Sequence, residues 1–319
     1  MSRFILRRIV QAIPTLFGIL LLTFLLTRLS PADPVKLMLA GQFDITSEER
    51  AELYHNLGLD DPLPVQFVRY AGNVLRLDFG NSFYYHRPVV ELIAERIPNS
   101  LQLSVLSLIL ALVIGVPLGV ISAYRRGKPI DHVIRIFSVA GHAIPSFWFG
   151  LLFVTILGVQ LRWFPIGSMN AVGKDSDVLD RIWHLFGPVL ALSLGLIALY
   201  PRYLRTQVLE IVNQDYVRTA HAKGLKQRAV TWGHVVRNTL IPIVTLFGGL
   251  LTIVLSGSVV IERVFNWPGI GRLLFEALVS KDYPMIQANV VIGSVLLLVS
   301  FIARDIAYAF VDPRVKVGA

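Results

Sequence analysis

No cysteine occurs anywhere in the 319 residues. Disulfides, thiolate-held metals and a cysteine nucleophile are thereby excluded, while the redox compartment stays open. Charge is also scarce: Asp, Glu, Lys and Arg make up 16% of the chain, against about 25% in a soluble domain. The histidines are scattered without metal-ligand spacing, and neither HExxH nor GxSxG occurs. A GxxxxGK[ST] phosphate loop is missing too, since RRGKP at Arg125–Pro129 lacks its spacing. These absences argue against a metalloenzyme, a serine hydrolase and a self-contained ATPase.

What the chain has in excess is apolar sequence, 54% of residues, with a mean hydropathy of +0.62. Lipid rather than water is the solvent this composition suits. Six apolar runs reach the roughly 20 residues a spanning helix needs: Ile9–Leu29, Leu101–Tyr124, Ile136–Gln160, Gly187–Leu204, Leu240–Val260 and Ala288–Phe310. Gly187, Pro188, Gly195 and Pro201 interrupt the fourth, where kinks are expected. The basic start at Arg3, Arg7 and Arg8 resembles a signal peptide, but the run after it is longer than a signal core and reads as a retained span. No span core holds paired acids or cations suited to a proton or sodium path; Arg304 and Asp305 sit near one end of the last.

The formal charge of +9 is distributed as an orientation signal. Three basic residues and no acid precede the first span, whereas residues 30–98 carry six basic and ten acidic residues. Residues 125–135 carry four basic residues against Asp131, and residues 205–237 carry six against Glu210 and Asp215. The loops between these are balanced, so both termini are expected in the cytoplasm. No basic platform interleaved with aromatics speaks for nucleic acid. In and just beyond residues 30–98, Thr46 with Glu49 forms a capping box for a short helix, Asp78–Ser82 reads as a turn, and the stretch His86–Ser104 is expected along the membrane face.

One polar, basic segment, DYVRTAHAKGLKQRAVTWGHVVRNTLIP, lies between the fourth and fifth apolar runs. Leu225, Ala229, Trp232, Val236 and Leu240 recur at helical spacing, Val208, Val212 and Tyr216 begin another face, and Gly224 separates the two. The spacing predicts a helix, a glycine corner and a second helix, with Arg218 and Lys223 facing outward. The lack of a phosphate loop and of an ion path means that the energy for any pumping comes from another chain.

YVRTAHAKG followed by HVVRNTLIP resembles the signature loop of inner-membrane permeases of binding-protein-dependent ABC importers. The likeness is strongest to the B-type permease of the dipeptide, oligopeptide and nickel uptake group and runs nearly end to end. FILRRIVQAIPTLFGILLLTFLLTRLSPADP, LGLDDPLPVQFVRY, LDFGNS, GHAIPSFWFG and VVIERVFNWPGIGRLL carry it. The loop signature, EAA, three residues, then Gly, is altered: Arg218 and Thr219 replace the Glu and the first Ala, while Ala220 and Gly224 remain, and Pro242 comes late. The resemblance implies an all-α, six-span, type I ABC importer permease with a small periplasmic insertion after the first helix. It implies residues 1–29 as the N-terminus and first span, 30–98 as the insertion, 99–310 as the core with a coupling loop at 205–238, and 311–319 as a cytoplasmic tail, all in a bacterial inner membrane.

The same resemblance implies a non-catalytic subunit forming half of a peptide pathway, with a second permease, two ATP-binding subunits that carry ATP and Mg, and a periplasmic or lipid-anchored solute-binding protein. No cofactor or metal is expected in this chain. Tyr216, Arg218, Thr219, Ala220, Lys223 and Gly224 are the expected ATPase-coupling residues. Trp267, Pro268, Gly269 and Gly271 are expected at an outer gate or docking surface, with Trp267 also suited to an aromatic belt. His142 and Pro145 are pathway candidates. Nickel or glutathione as solute remain alternatives, as does an ion-coupled secondary transporter. A membrane enzyme would need an interfacial nucleophile or carboxylate pair that the residues do not supply.

Overall fold

The computed structural model describes residues 2–29, 35, 46–56, 58–174, 177–239 and 259–311, and their regular structure is helical apart from one antiparallel bridge between Asn81 and Pro88. In chain order the helices are α1 (Ser2–Leu29), α2 (Ser47–Asn56), α3 (Leu63–Leu75), α4 (Val89–Tyr124), α5 (Pro129–Ala143), α6 (Ser146–Leu152), α7 (Val178–Ile211), α8 (Asp215–Ala222), α9 (Gln227–Ala229), α10 (Val259–Val264), α11 (Ile270–Ser280) and α12 (Tyr283–Val311). Helix α6 runs on into a wider i→i+5 turn at Phe153–Gln160, and α9 does the same at Val230–Val236.

The protein is all-α and membrane-embedded. Four helical stretches are long and apolar enough to cross a bilayer: Leu6–Leu29, Val89–Tyr124, Val178–Ile211 and Tyr283–Ala303. The pair Pro129–Ala143 and Ser146–Gln160, bent by 93°, makes a fifth if it counts as one span. Six spans are thus not reached among the described residues; the expected span Leu240–Val260 lies almost wholly outside them.

The prolines of the third and fourth apolar runs fall in different settings. Pro188 and Pro201 lie inside the continuous helix α7, and a full break falls before Pro145. There Ile144 takes an extended backbone (φ −80°, ψ 119°), as the proline ring demands of the residue before it. The chain from His86 to Ser104 does not form a separate surface segment. From Val89 it is the first turns of α4, whose 36 residues rise about 54 Å and so outrun a hydrocarbon layer of about 30 Å.

The contacts divide the chain into two compact units, residues 1–98 with 272–299 and residues 99–271 with 300–319. In the first, Val89, Leu92 and Ile93 pack with Leu273, Ala277 and Met285. Its polar ties are long-range: Ser82 donates to Asp282, and the Tyr85 hydroxyl donates to Glu276 at 2.6 Å. Burial, then the hydrogen bond to Glu276, pushes the Tyr85 phenol up to about 12. In the second unit α5 lies along α7. An apolar core joins Val116, Val120, Leu204 and Val208 with Val217 and Val235. Aromatic rings gather around Phe153, Phe164, Phe186 and Phe265.

Candidate functional site

The altered signature segment folds as α8, an exposed turn and then α9 with its widened continuation. Two residues seat α8: Val217 and Ala220 are buried in the same core as Leu204 and Val208 of α7. The rest of the helix faces out, with Tyr216, Arg218, Thr219 and Lys223 all exposed. Arg218 lies 3.5 Å from Asp215, both side chains in solvent, so that pair adds little stability. Gly224 turns the chain with φ +77°, and a Cβ there would meet nothing within 4 Å. The corner is therefore open in space and selective only in backbone geometry.

The second face comes out differently from its apolar spacing. Leu225, Ala229 and Trp232 are exposed, while Val230, Thr231, Val235 and Val236 are buried. The i→i+5 bonding at Val230–Val236 adds a residue to the turn and rotates the packed face away from the 3.6-residue stripe. Leu225 and Trp232 are left among Lys226 and Arg228 on an exposed, mixed apolar and basic surface. Thr231 fixes the widened turn, donating to the Tyr124 hydroxyl at 3.0 Å. His221 is exposed and His234 half-buried. Leu240 and Pro242 lie outside the described residues.

Behind this surface is a carboxylate that sequence reasoning counted only as a lone acid in a basic loop. Asp131, at the start of α5, is fully buried. Its carboxylate accepts four hydrogen bonds: from Ser122 at 2.5 Å, the Gly127 backbone N–H at 2.9 Å, Arg205 Nε at 2.8 Å and Arg205 Nη2 at 3.0 Å. The fork geometry of guanidinium suits this two-point grip, and the other donors complete the acceptor set a buried carboxylate needs. The network joins the end of α4, the tight turn after it, α5 and α7. Arg205 lies next to Leu204 and one turn before Val208, the two α7 residues whose core seats α8. A single acidic residue amid four basic ones was the signal available.

The segment expected at an outer gate is organised around a second buried acid, Glu262 of α10. Ser100 donates to Glu262 Oε1 at 2.7 Å, and the Ile270 backbone N–H donates to Ser100 Oγ at 2.8 Å. A Cβ on Gly269 would overlap the Glu262 carboxylate, and one on Gly271 would come within 2.6 Å of the Val259 Cα. Trp267 is fully buried, and its indole N–H donates to the Asn99 carbonyl at 3.0 Å; the Asn99 amide donates to the Pro268 carbonyl at 2.8 Å. Trp267 is therefore a core wedge rather than a member of an aromatic belt. Gly269 and Gly271 are buried and Pro268 half-buried.

His142 and Pro145 flank the 93° break between α5 and α6, and both are exposed. No cluster of three or more metal-binding side chains occurs among the described residues.

With this geometry in place, likeness to other proteins can be weighed. Residues 115–317 match the model of the binding-protein-dependent transport system inner membrane component, and residues 1–104 match that of the N-terminal part of such a membrane component. The chain is 42% identical over 317 residues to the oligopeptide transport system permease protein AppB of Bacillus subtilis, covering 99% of this chain and all of that one. It is 36% identical over 335 residues to the di/tripeptide transport system permease protein DppB of Pseudomonas aeruginosa, and 34% identical over 337 residues to the dipeptide transport system permease protein DppB of Escherichia coli, with 99% of each chain covered. Among solved structures, an inward-facing MetNI methionine ABC transporter chain superposes with a TM-score of 0.51 at 17% identity, covering 70% of this chain and 97% of that one.

Proposed function

Because the chain belongs to the inner membrane components of binding-protein-dependent transport systems, and is a non-catalytic permease subunit, we propose that it forms half of the pathway of an ATP-driven importer of dipeptides or oligopeptides. The peptide permeases among its relatives support that solute class. The observation that carries the coupling is α8: a short helix seated by Val217 and Ala220 and otherwise exposed, in a chain without a phosphate loop. Its outward residues, with Leu225, Trp232, Lys226 and Arg228 beside them, suit a partner whose receiving groove is apolar at its floor and acidic at its rim. Two ATP-binding subunits, which carry ATP and Mg, take that position. A second, homologous permease completes the pathway, and a solute-binding protein docks on the opposite side.

In this reading six spans place both termini in the cytoplasm of a bacterial inner membrane. The loop charges support that orientation. Residues 30–98 form a periplasmic insertion after the first span, 99–310 the permease core with its coupling loop at 205–238, and 311–319 a cytoplasmic tail. His142 and Pro145, exposed at the broken helix, are offered to the pathway or to the second permease.

The test is reconstitution of the four kinds of subunit in proteoliposomes with a labelled dipeptide. Uptake requires ATP and both ATPase subunits and persists when the proton gradient is collapsed. Uptake by the permeases alone, lost with the gradient, would overturn the reading in favour of a secondary transporter.

A further inference from the structure

We propose that α3 is a monotopic membrane element: it lies at the bilayer interface with one sector of its side chains against lipid acyl chains. Its 13 residues rise about 20 Å, too short to cross the hydrocarbon layer of about 30 Å. Three sectors run along it. The first faces protein. The Phe67 ring meets Phe17 and Phe24 of α1 edge-on at 5.6 and 5.5 Å, the Tyr70 hydroxyl lies 3.2 Å from Thr23 Oγ1, and Val74 is buried.

The second sector is apolar and uncovered. Val65, Val68 and Leu75 are 47%, 70% and 82% exposed, and Leu77 just beyond the helix is 64% exposed. At 3.6 residues per turn the three helical positions fall within an arc of about 80°. The third sector is polar. Arg69 and Asn73 are exposed beside one another, and Arg69 pairs with Asp61 at 2.7 Å. A helix with water-seeking groups along one edge and a continuous apolar strip along another is built for the boundary between headgroups and acyl chains.

The occupant of the apolar sector follows from what α3 is fastened to. Phe17 and Phe24 lie inside the apolar span Leu6–Leu29, not beyond its end. Phe17, Leu22 and Leu26 of that span are themselves exposed. The strip on α3 is therefore continuous with a surface whose solvent is lipid. Left in water, the same residues would form an apolar patch of the kind soluble surfaces avoid. Tyr70, apolar in body and polar at its tip, suits the interface depth. The proposal rests on the chain being a membrane permease and is independent of which solute it carries. It places α3 in the membrane boundary rather than in a water-borne insertion.

The cysteine-free chain allows single nitroxide labels at Val68→Cys, Leu75→Cys, Arg69→Cys and Asn73→Cys in the assembled transporter in lipid vesicles. Dissolved oxygen should relax the labels at 68 and 75 more than a nickel chelate does, with the reverse at 69 and 73. Equal nickel access at all four positions would put α3 in water. Labels at 68 and 75 reached by neither relaxant would mean that a protein partner covers the sector. Either result overturns the proposal. Failure of ATP-dependent uptake would count against the transport reading and leave this accessibility pattern intact.

Discussion

At the scale of single residues, the most consequential side chain was the least visible in the sequence. Asp131 reads as a minor correction to a positive loop, yet it is fully buried and gathers four hydrogen bonds. Asp131→Ala strands Arg205 in a site that is only 20% exposed, and the expected loss is about 3–5 kcal/mol. Thermal unfolding in detergent measures it, and Arg205→Lys, which keeps the charge but not the fork, should lose less. Gly224 is the opposite case, legible as a corner and found with φ +77°. Since the surrounding space is open, Gly224→Asp meets backbone strain of about 1–2 kcal/mol at most and should leave the chain folded. Its carboxylate then sits on the exposed surface beside α8. The variant is expected to release or uncouple the ATPases, read by their co-purification and by ATP-dependent uptake, with Arg218→Ala doing less because a rim charge affects encounter more than affinity.

At the scale of elements, helix existence followed from apolar periodicity, while breaks and faces did not. The long runs that became α1, α4, α7 and α12 were recognisable because a bilayer demands length and apolarity together. The break before Pro145 was not distinguishable from the prolines inside α7, because whether a proline interrupts a helix depends on neighbours that re-satisfy the freed carbonyls. The packed face after Gly224 was misread for a related reason: a widened turn changes the period on which the reading depends. Helix α8 carries a prediction of its own. Ala220 is on the buried face of α8, so Ala220→Leu forces extra volume into a filled site at a cost of about 1–3 kcal/mol. The helix should lift, and ATPase co-purification should fall although no exposed residue has changed. Full retention of the ATPases would mean that the seat of α8 does not matter to docking.

At the scale of the whole molecule, the alternation of basic and acidic loops predicts an orientation, and the structure adds lengths that charge cannot give. Single cysteines placed at positions 50 and 226 test the orientation. The first should react with an impermeant reagent from outside, and the second only after permeabilisation; the reverse would invert the assignment. The long-range ties Ser82–Asp282 and Tyr85–Glu276 were invisible in the sequence because about 200 residues of chain separate their partners, and nothing local marks either end.

The cradle around Glu262 has a consequence that belongs to descent rather than to mechanics. Its carboxylate occupies the volume that a side chain at 269 would need, whereas one at 271 would first meet the Val259 backbone. Positions 262 and 269 thus share one allotment of space, and neither is free to drift alone. Among diverging chains of this kind, a larger residue at 269 should arise only where 262 has become smaller. In the laboratory the same constraint appears as epistasis. Gly269→Ala should be damaging by itself and less so when combined with Glu262→Ala, a coupling of about 0.5–3 kcal/mol in a double-mutant cycle. Strict additivity would mean that the carboxylate can move aside, and that the two positions carry separate histories.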